Sequence, residues 1–396
     1  MTARVRPSAM YATSGVRAPP TDARRLTARV RPTGVRRGMP RFHISSWEEV
    51  AADHPDLVVT TRPPDHGLSP VSVDGSPARE SGDAVLRLPG ALVGPVGVYF
   101  EDRLLLDAVH YLPDVWRTTN WLPFRLAEGD WAELDEPDAT VVAGPLLFID
   151  AVNGRANFGH FVHDSLAYAP LQHLLAAAGH ETAAFAPEWT FESQRRLANL
   201  CFLGQRDRPW HAWYQCDDLY VAPRQFRMDN PPAPRDVLPQ RSWEWLAGRI
   251  PECSEHRALP PSGPPVYLTR DWGHFGEASA PQDRNFSNGP AVDRVAADLG
   301  FTAIDCASTP VLDIIRAVAM APVVVGVHGA QLAHILWANN AAKVVELEGP
   351  GGCWRTTRAL AAGRGLARRS VRAAFEGERV VLDVDVLKAA LTEALS

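Results

Sequence analysis

Residues 323–332 read VVVGVHGAQL, and this stretch constrains the chain most. A short valine-rich run suits a strand buried on both faces of a parallel sheet. It stops abruptly at His328, Gly329 and Ala330. Gly329 lets the backbone turn tightly and approach a ligand closely. A helix-like segment follows, and its free N–H groups point at whatever sits at the strand's C-terminal end. Such a place favours anions, phosphates above all. The stretch therefore predicts a sheet-edge crevice in an α/β domain with His328 at its mouth. The same residues fit a buried strand-to-helix turn whose histidine is merely hydrogen-bonded, and both readings stand at this point.

The neighbouring sequence has a regular alternation. Residues 290–299 predict a helix closed by Gly300, and 301–305 a strand. Thr309 can cap a helix with Pro310 at its first position, running to about Ala319. Residues 332–337 read as helical, 343–347 as a strand and 354–362 as a helix. Strands alternating with helices predict a parallel, doubly wound sheet covered by helices. The chain has neither GxGxxG nor a Walker loop, so the common dinucleotide and P-loop signatures are absent.

Upstream, Ser45, Ser46 and Trp47 followed by Glu48 and Glu49 read as a helix start. Residues 55–150 mix short strand-like runs with Pro, Gly and Asp, which suggests a β-rich entry region; examples are 94–100 and 140–149. From His160 to Leu175 apolar residues recur at spacings of three and four, with Gly179 as a stop. Residues 191–203 predict a second helix and 266–269 a strand. The Pro260–Pro265 cluster reads as an extended connector and hence as a domain boundary. The expected organisation is a basic, disordered arm over 1–41, an N-terminal α/β domain over 42–260, and a C-terminal Rossmann-like domain over 261–396.

The chain has 396 residues, enough for two domains with good cores. Residues 1–41 hold ten arginines against one acid, Asp22. The arm's net +9 leaves −15 on the remainder of a chain whose total is −6. An acidic body argues against nucleic acid as the main partner. The arm repeats TARVRP at 2–7 and 27–32 without apolar periodicity, and Met39 offers a second start. No apolar run spans a bilayer, since 311–327 is broken by Asp313 and Arg316. Arginines punctuate the N-terminus where a signal peptide would need an apolar core. The five cysteines show no CxxC spacing, so neither a zinc ribbon nor a dithiol motif is supported. Together these lead to the expectation of a bacterial cytoplasmic enzyme with free thiols and no membrane span.

Three constellations can carry chemistry. The first is NFGHFVHDSL at 157–166. If a helix starts near Asn157, His160 and Asp164 share one face, with His163 adjacent. A carboxylate beside an imidazole suits a general base. The same side chains could instead ligate a metal, or serve only as helix-terminal caps. The second is VYLTR at 266–270, followed by Arg284 and Asn288. Arginine's planar fork suits phosphate, although a single arginine is usually paired with a surface acid. The third is Glu346 inside the apolar strand VVEL. An acid there needs a partner, either sugar hydroxyls or a salt bridge to Arg355 or Arg358. The aromatics Trp210, Trp213, Tyr214, Trp243 and Trp245 offer either sugar-stacking faces or core.

In this order the blocks resemble glycosyltransferase family 61. NFGHFVHDSL looks like the family's N-x-x-H-(F/W)-x-x-D-x-L block. VYLTR with Arg284 and Asn288 looks like its strand-plus-arginine block. VVVGVHGAQLAHILW (323–337) followed by VVEL (344–347) looks like its HGA block, which is the most specific of the three. The resemblance covers roughly 90–350. Two departures stand out: Gly289 where the family's R-x-x-x-N-E carries glutamate, and Gln331 where glycine is commonest.

The resemblance implies a GT-B fold, meaning two Rossmann-like domains facing across a cleft. It also implies inverting transfer from a nucleotide-sugar donor to a hydroxyl of a glycan or small-molecule acceptor, with no cofactor and no catalytic metal. On this basis Arg270, Arg284, Asn288, His328, Gly329, Ala330 and Glu346 are expected on the donor side, with Glu346 at ribose hydroxyls. Asp164 is expected as the base, His160 as its orienter, and Asn157 and His163 on the acceptor side. The alternatives are a metal-dependent hydrolase built on His160, His163 and Asp164, or a non-catalytic nucleotide-sugar-binding protein.

Overall fold

The computed structural model describes residues 41–45, 47–60, 84–94, 97–101, 103–105, 132–133, 139–149, 157–209, 212–222, 240–269, 272, 285–350 and 356–396. Residues 1–40 of the expected arm lie outside the described residues, and Arg41 opens the first strand. The chain divides into two compact units, one running to Phe226 and one beginning at Arg227.

The first unit is built on a mixed sheet of eleven strands. They are β1 (Arg41–Ser45), β2 (Val58–Thr60), β3 (Ala84–Pro89), β4 (Leu92–Val93), β5 (Val98–Phe100), β6 (Arg103–Leu105), β7 (Ala132–Glu133), β8 (Thr140–Phe148), β9 (Ala183–Pro187), β10 (Gln205–Arg208) and β11 (Tyr214–Val221). The β-rich region expected over 55–150 supplies β2 to β8. Its short strands β3 to β6 pair antiparallel with one another or with β11. The other half is Rossmann-like. β9 runs parallel to both β8 and β10, and β11 runs parallel to β8 on the other side. Helical segments join β8 to β9 and β9 to β10. The order β10-β9-β8-β11 therefore reverses direction between β8 and β11. In open α/β sheets ligands bind beyond the strand C-termini at such a reversal.

The expected helices form here. Residues 158–177 are helical, and the stretch closes with Gly179 N–H on Ala176 C=O and His180 N–H on Leu175 C=O. That is the Schellman closure, and Gly179 takes the left-handed φ of 88° that it requires. The second helix is Glu192–Cys201.

The second unit holds β12 (Val266–Thr269), β13 (Thr302–Asp305), β14 (Val323–Val327), β15 (Lys343–Glu348) and β16 (Ala367–Arg372) in one wholly parallel sheet, ordered β13-β12-β14-β15-β16. The direction reverses between β12 and β14, so the ends of those two strands frame this sheet's crevice. A hairpin of β17 (Ala374–Glu376) and β18 (Arg379–Val381) precedes the last helix, Val384–Leu395.

Both faces of the parallel sheet are covered, which explains why β14 has no polar alternation. Val323, Val325 and Val327 pack with Val292 and Ala296 of helix Gly289–Asp298 and with Leu387 and Leu391 of the last helix. The opposite face carries the 3₁₀ helix Ala330–Trp337, whose residues 331–337 are all buried. Arg364, itself buried, closes that helix by donating to the carbonyls of Leu336 and Ala338.

Three expectations change. Pro310 is the N-cap of helix Val311–Met320 rather than its first residue, because its ψ of 136° is not yet helical. The unit boundary lies before the Pro260–Pro265 connector. Asn339 donates to the carbonyls of His256 and Leu259, and Asn340 N–H to that of Arg257, so the stretch from Gln240 packs with the second sheet. Trp243 is fully buried, which makes it core rather than a sugar platform, and Trp210 lies outside the described residues. No helix among the described residues is long and apolar enough to cross a membrane.

Candidate functional site

Each unit carries one cluster of candidate side chains: His160 and Asp164 follow β8 in the chain, their turn packed through Phe161 on Trp189 beyond β9, and His328 directly follows β14. In the first unit, beyond β8, the next described segment opens at Asn157. Asn157 caps the helical stretch, its Oδ1 accepting from His160 N–H at 3.2 Å. Its Oδ1 is thus engaged in the cap.

His160 Nδ1 lies 2.8 Å from Asp164 Oδ2, with side-chain exposures of 29% and 17%. The pair spans a π turn, Phe161–Ser165. Such wide turns are rare and frequent at functional sites. Apolar anchors hold it in place: Phe161 and Val162 are fully buried, and the Phe161 ring meets Trp189 edge-on at 4.9 Å. The backbone is fixed from below while the imidazole and carboxylate keep access to solvent. Asp164 Oδ1 has no hydrogen-bond partner among the described residues. The side chain of His163 lies outside the described residues. Among those described, no three His, Cys, Asp or Glu side chains group closely enough to hold a metal ion.

In the second unit the site grows from β14. The strand ends at Val327, and His328 N–H still reaches across to Leu347 C=O of β15. Gly329 then takes φ 155° and ψ −169°, a conformation essentially closed to residues with a Cβ. The 3₁₀ helix begins at Ala330. His328 is 6% exposed, and its Nδ1–H donates to Glu346 Oε1 at 2.5 Å. Thr357 Oγ1 stands 3.3 Å from the same nitrogen. A carboxylate on Nδ1 fixes the ring's orientation and tautomer and leaves Nε2 for a ligand. Nε2 has no hydrogen bond among the described residues. Three residues on, Gln331, 7% exposed, has an amide nitrogen with no partner among the described residues. A buried donor of this kind needs an acceptor.

Glu346 differs from its expectation. It has no exposed surface, and its oxygens are taken by His328 and by Arg368 Nε at 2.6 Å. It therefore cannot hold ribose hydroxyls and reaches a ligand only through His328. Its cation is Arg368. Asn288 is also redirected: its amide donates to Leu382 C=O at 2.7 Å and accepts from Leu382 N–H at 3.1 Å. It clips the chain beyond β18 to the start of helix Gly289–Asp298 through both ends of its amide. Arg270 and Arg284 lie outside the described residues. Thr357, Arg368 and Trp272 were not singled out by sequence. Arg368 sits in the run ARRSVR, whose crowded charges hide which one faces inward.

The described residues thus form two α/β units, the second with a glycine turn and a carboxylate-oriented histidine at the end of β14. Residues 158–345 match the model of the family Glycosyltransferase 61. This match supports membership of glycosyltransferase family 61, a family that implies glycosyltransferase activity with a nucleotide-sugar donor and an acceptor as substrates. No curated protein matches the chain.

Proposed function

We propose that the chain is an inverting, metal-independent glycosyltransferase that moves a sugar from a nucleotide-sugar to a hydroxyl acceptor, with the two units in the GT-B arrangement. The observation that carries this most is the second unit's turn. A glycine-only conformation, a carboxylate-oriented His328 and the orphan amide of Gln331 follow within four residues of the end of β14, where the sheet reverses. The donor diphosphate sits there. The N–H groups at the start of the 3₁₀ helix and Gln331 Nε2 stabilise the charge that grows on it as the bond to the sugar breaks, and His328 adds a donor from Nε2 when its ring carries both protons. Arg270 and Arg284 add cationic charge. Asp164 Oδ1 takes the proton of the acceptor hydroxyl, whose oxygen attacks the anomeric carbon from the face opposite the diphosphate. His160 holds Asp164 in place. One displacement inverts the centre.

The test is release of nucleoside diphosphate by the full chain from a panel of nucleotide-sugars in EDTA, with candidate glycan and small-molecule acceptors. Release that needs an acceptor and is lost in Asp164→Asn supports the proposal. Normal release in a folded Asp164→Asn variant removes Asp164 as the base. Release restored only by added divalent metal removes the metal-independent mechanism.

A further inference from the structure

We propose that Arg368 is a positioning residue of the donor site, fixing the His328 ring through Glu346; this rests on the assignment of His328 to the donor diphosphate. Arg368 lies on β16, beyond the residues matched by the family. Side chains alternate along a strand, so Glu346 and Glu348 share one face of β15, and Arg368 and Arg372 share that face of β16. Arg368 pairs in register with Val344, two residues behind Glu346, and its guanidinium runs forward along the sheet.

There it bridges two carboxylates. Nε holds Glu346 Oε2 at 2.6 Å and a terminal nitrogen holds Glu348 Oε1 at 2.6 Å. Both acids are essentially without exposed surface, whereas Arg372, the other cation on Glu348, is well exposed. With Oε2 held by Arg368, the other oxygen of Glu346 is presented to His328 Nδ1. The guanidinium's fixed fork can hold both acids in plane at once, which a lysine's single ammonium point cannot reproduce. Arg368 thus acts on the ligand at two removes, by holding the carboxylate that holds the ring.

Removing a cation from between two buried acids threatens folding. Two variants of the full chain therefore serve: Arg368→Lys, and Arg368→Met combined with Glu348→Gln, which removes one charge of each sign. Two measurements are made on each. The first is the ¹⁵N signals of the His328 ring, identified with His328→Gln. The second is the dissociation constant for ADP, GDP, CDP, UDP and dTDP. Wild type is expected to show a single ring form with a protonated, hydrogen-bonded Nδ1. Both folded variants are expected to lose that single form and to weaken the preferred diphosphate about 10–100-fold, the range seen when the outer partner of a ligating histidine is removed. Ring signals identical to wild type in both variants overturn the proposal, as does an unchanged dissociation constant beside an altered ring. If wild type binds none of the five while the ring changes, Arg368 still positions His328 and the donor-site assignment is what fails.

Discussion

The indole of Trp272 occupies the place that a side chain on Gly289 would need: a Cβ there would lie 2.2 Å from Trp272 Cδ2. Trp272 is tied down on the same helix, since its Nε1–H donates to the Asp293 carboxylate at 3.0 Å. Tyr267 O–H donates to Asp293 at 2.7 Å, and the Trp272 ring stacks on Phe286 at 5.5 Å. The departure from the family-like R-x-x-x-N-E pattern thus has a physical counterpart. An aromatic ring stands where the pattern has glutamate.

Gly289→Ala is therefore expected to destabilise the fold by about 1–3 kcal/mol, as overpacking of a filled site does. Trp272→Ala in the same chain should recover most of that loss. Urea unfolding of both single variants and the double variant measures the coupling. Additive effects would show that the two residues do not compete for space.

Asp164→Asn is expected to lower turnover about 10²–10⁴-fold with the melting temperature nearly unchanged, since Asp164 remains partly exposed and the amide keeps a partner for His160. His160→Gln should cost less, because it removes the orienter and leaves the base. Steady-state rates at saturating donor compare the two.

Gly329→Ala forces a side chain into φ 155°, ψ −169°. The strain is about 1–3 kcal/mol. Because the turn presents the first N–H groups of the 3₁₀ helix, nucleoside diphosphate affinity should fall along with stability. Calorimetric unfolding and a binding titration read the two effects separately.

Burial lowers the pKa of His334 to about 3. The unfolded chain, with an ordinary histidine near 6.5, then binds more protons than the folded one between those values. This residue's favourable share of stability is present in full above pH 6.5 and is lost as pH falls toward 3. The slope attributable to it approaches about 1.4 kcal/mol per pH unit inside the window. His334→Asn should flatten the stability–pH curve there by that one proton, as denaturant unfolding between pH 4.5 and 7.5 would show.

Local sequence carried much of the fold. The strands at 266–269 and 323–327 are where short apolar runs put them, the second valine-rich because a strand buried on both faces has little polar composition open to it. The turn at Gly329 was readable because only glycine suits it. The His160–Asp164 contact was readable from its spacing on a helix, although the π turn beneath it was not. Long-range partners were hidden. Nothing near Glu346 announces Arg368, which arrives through strand register, and nothing near Asn288 announces Leu382. The charge on Glu346 required a partner, and only the fold selects which arginine supplies it. The family-like pattern also pointed to Asn288 as a ligand contact, where the sequence beyond β18 claims it as a clip.

The most direct test of the central claim is calorimetric titration of the full chain with ADP, GDP, CDP, UDP and dTDP in EDTA, repeated with His328→Ala. Binding of one diphosphate in preference to the others, lost or greatly weakened in the folded variant, is the predicted result. Equal binding by wild type and His328→Ala would contradict the placement of the donor at the end of β14. Absence of binding to all five would contradict a diphosphate site there altogether.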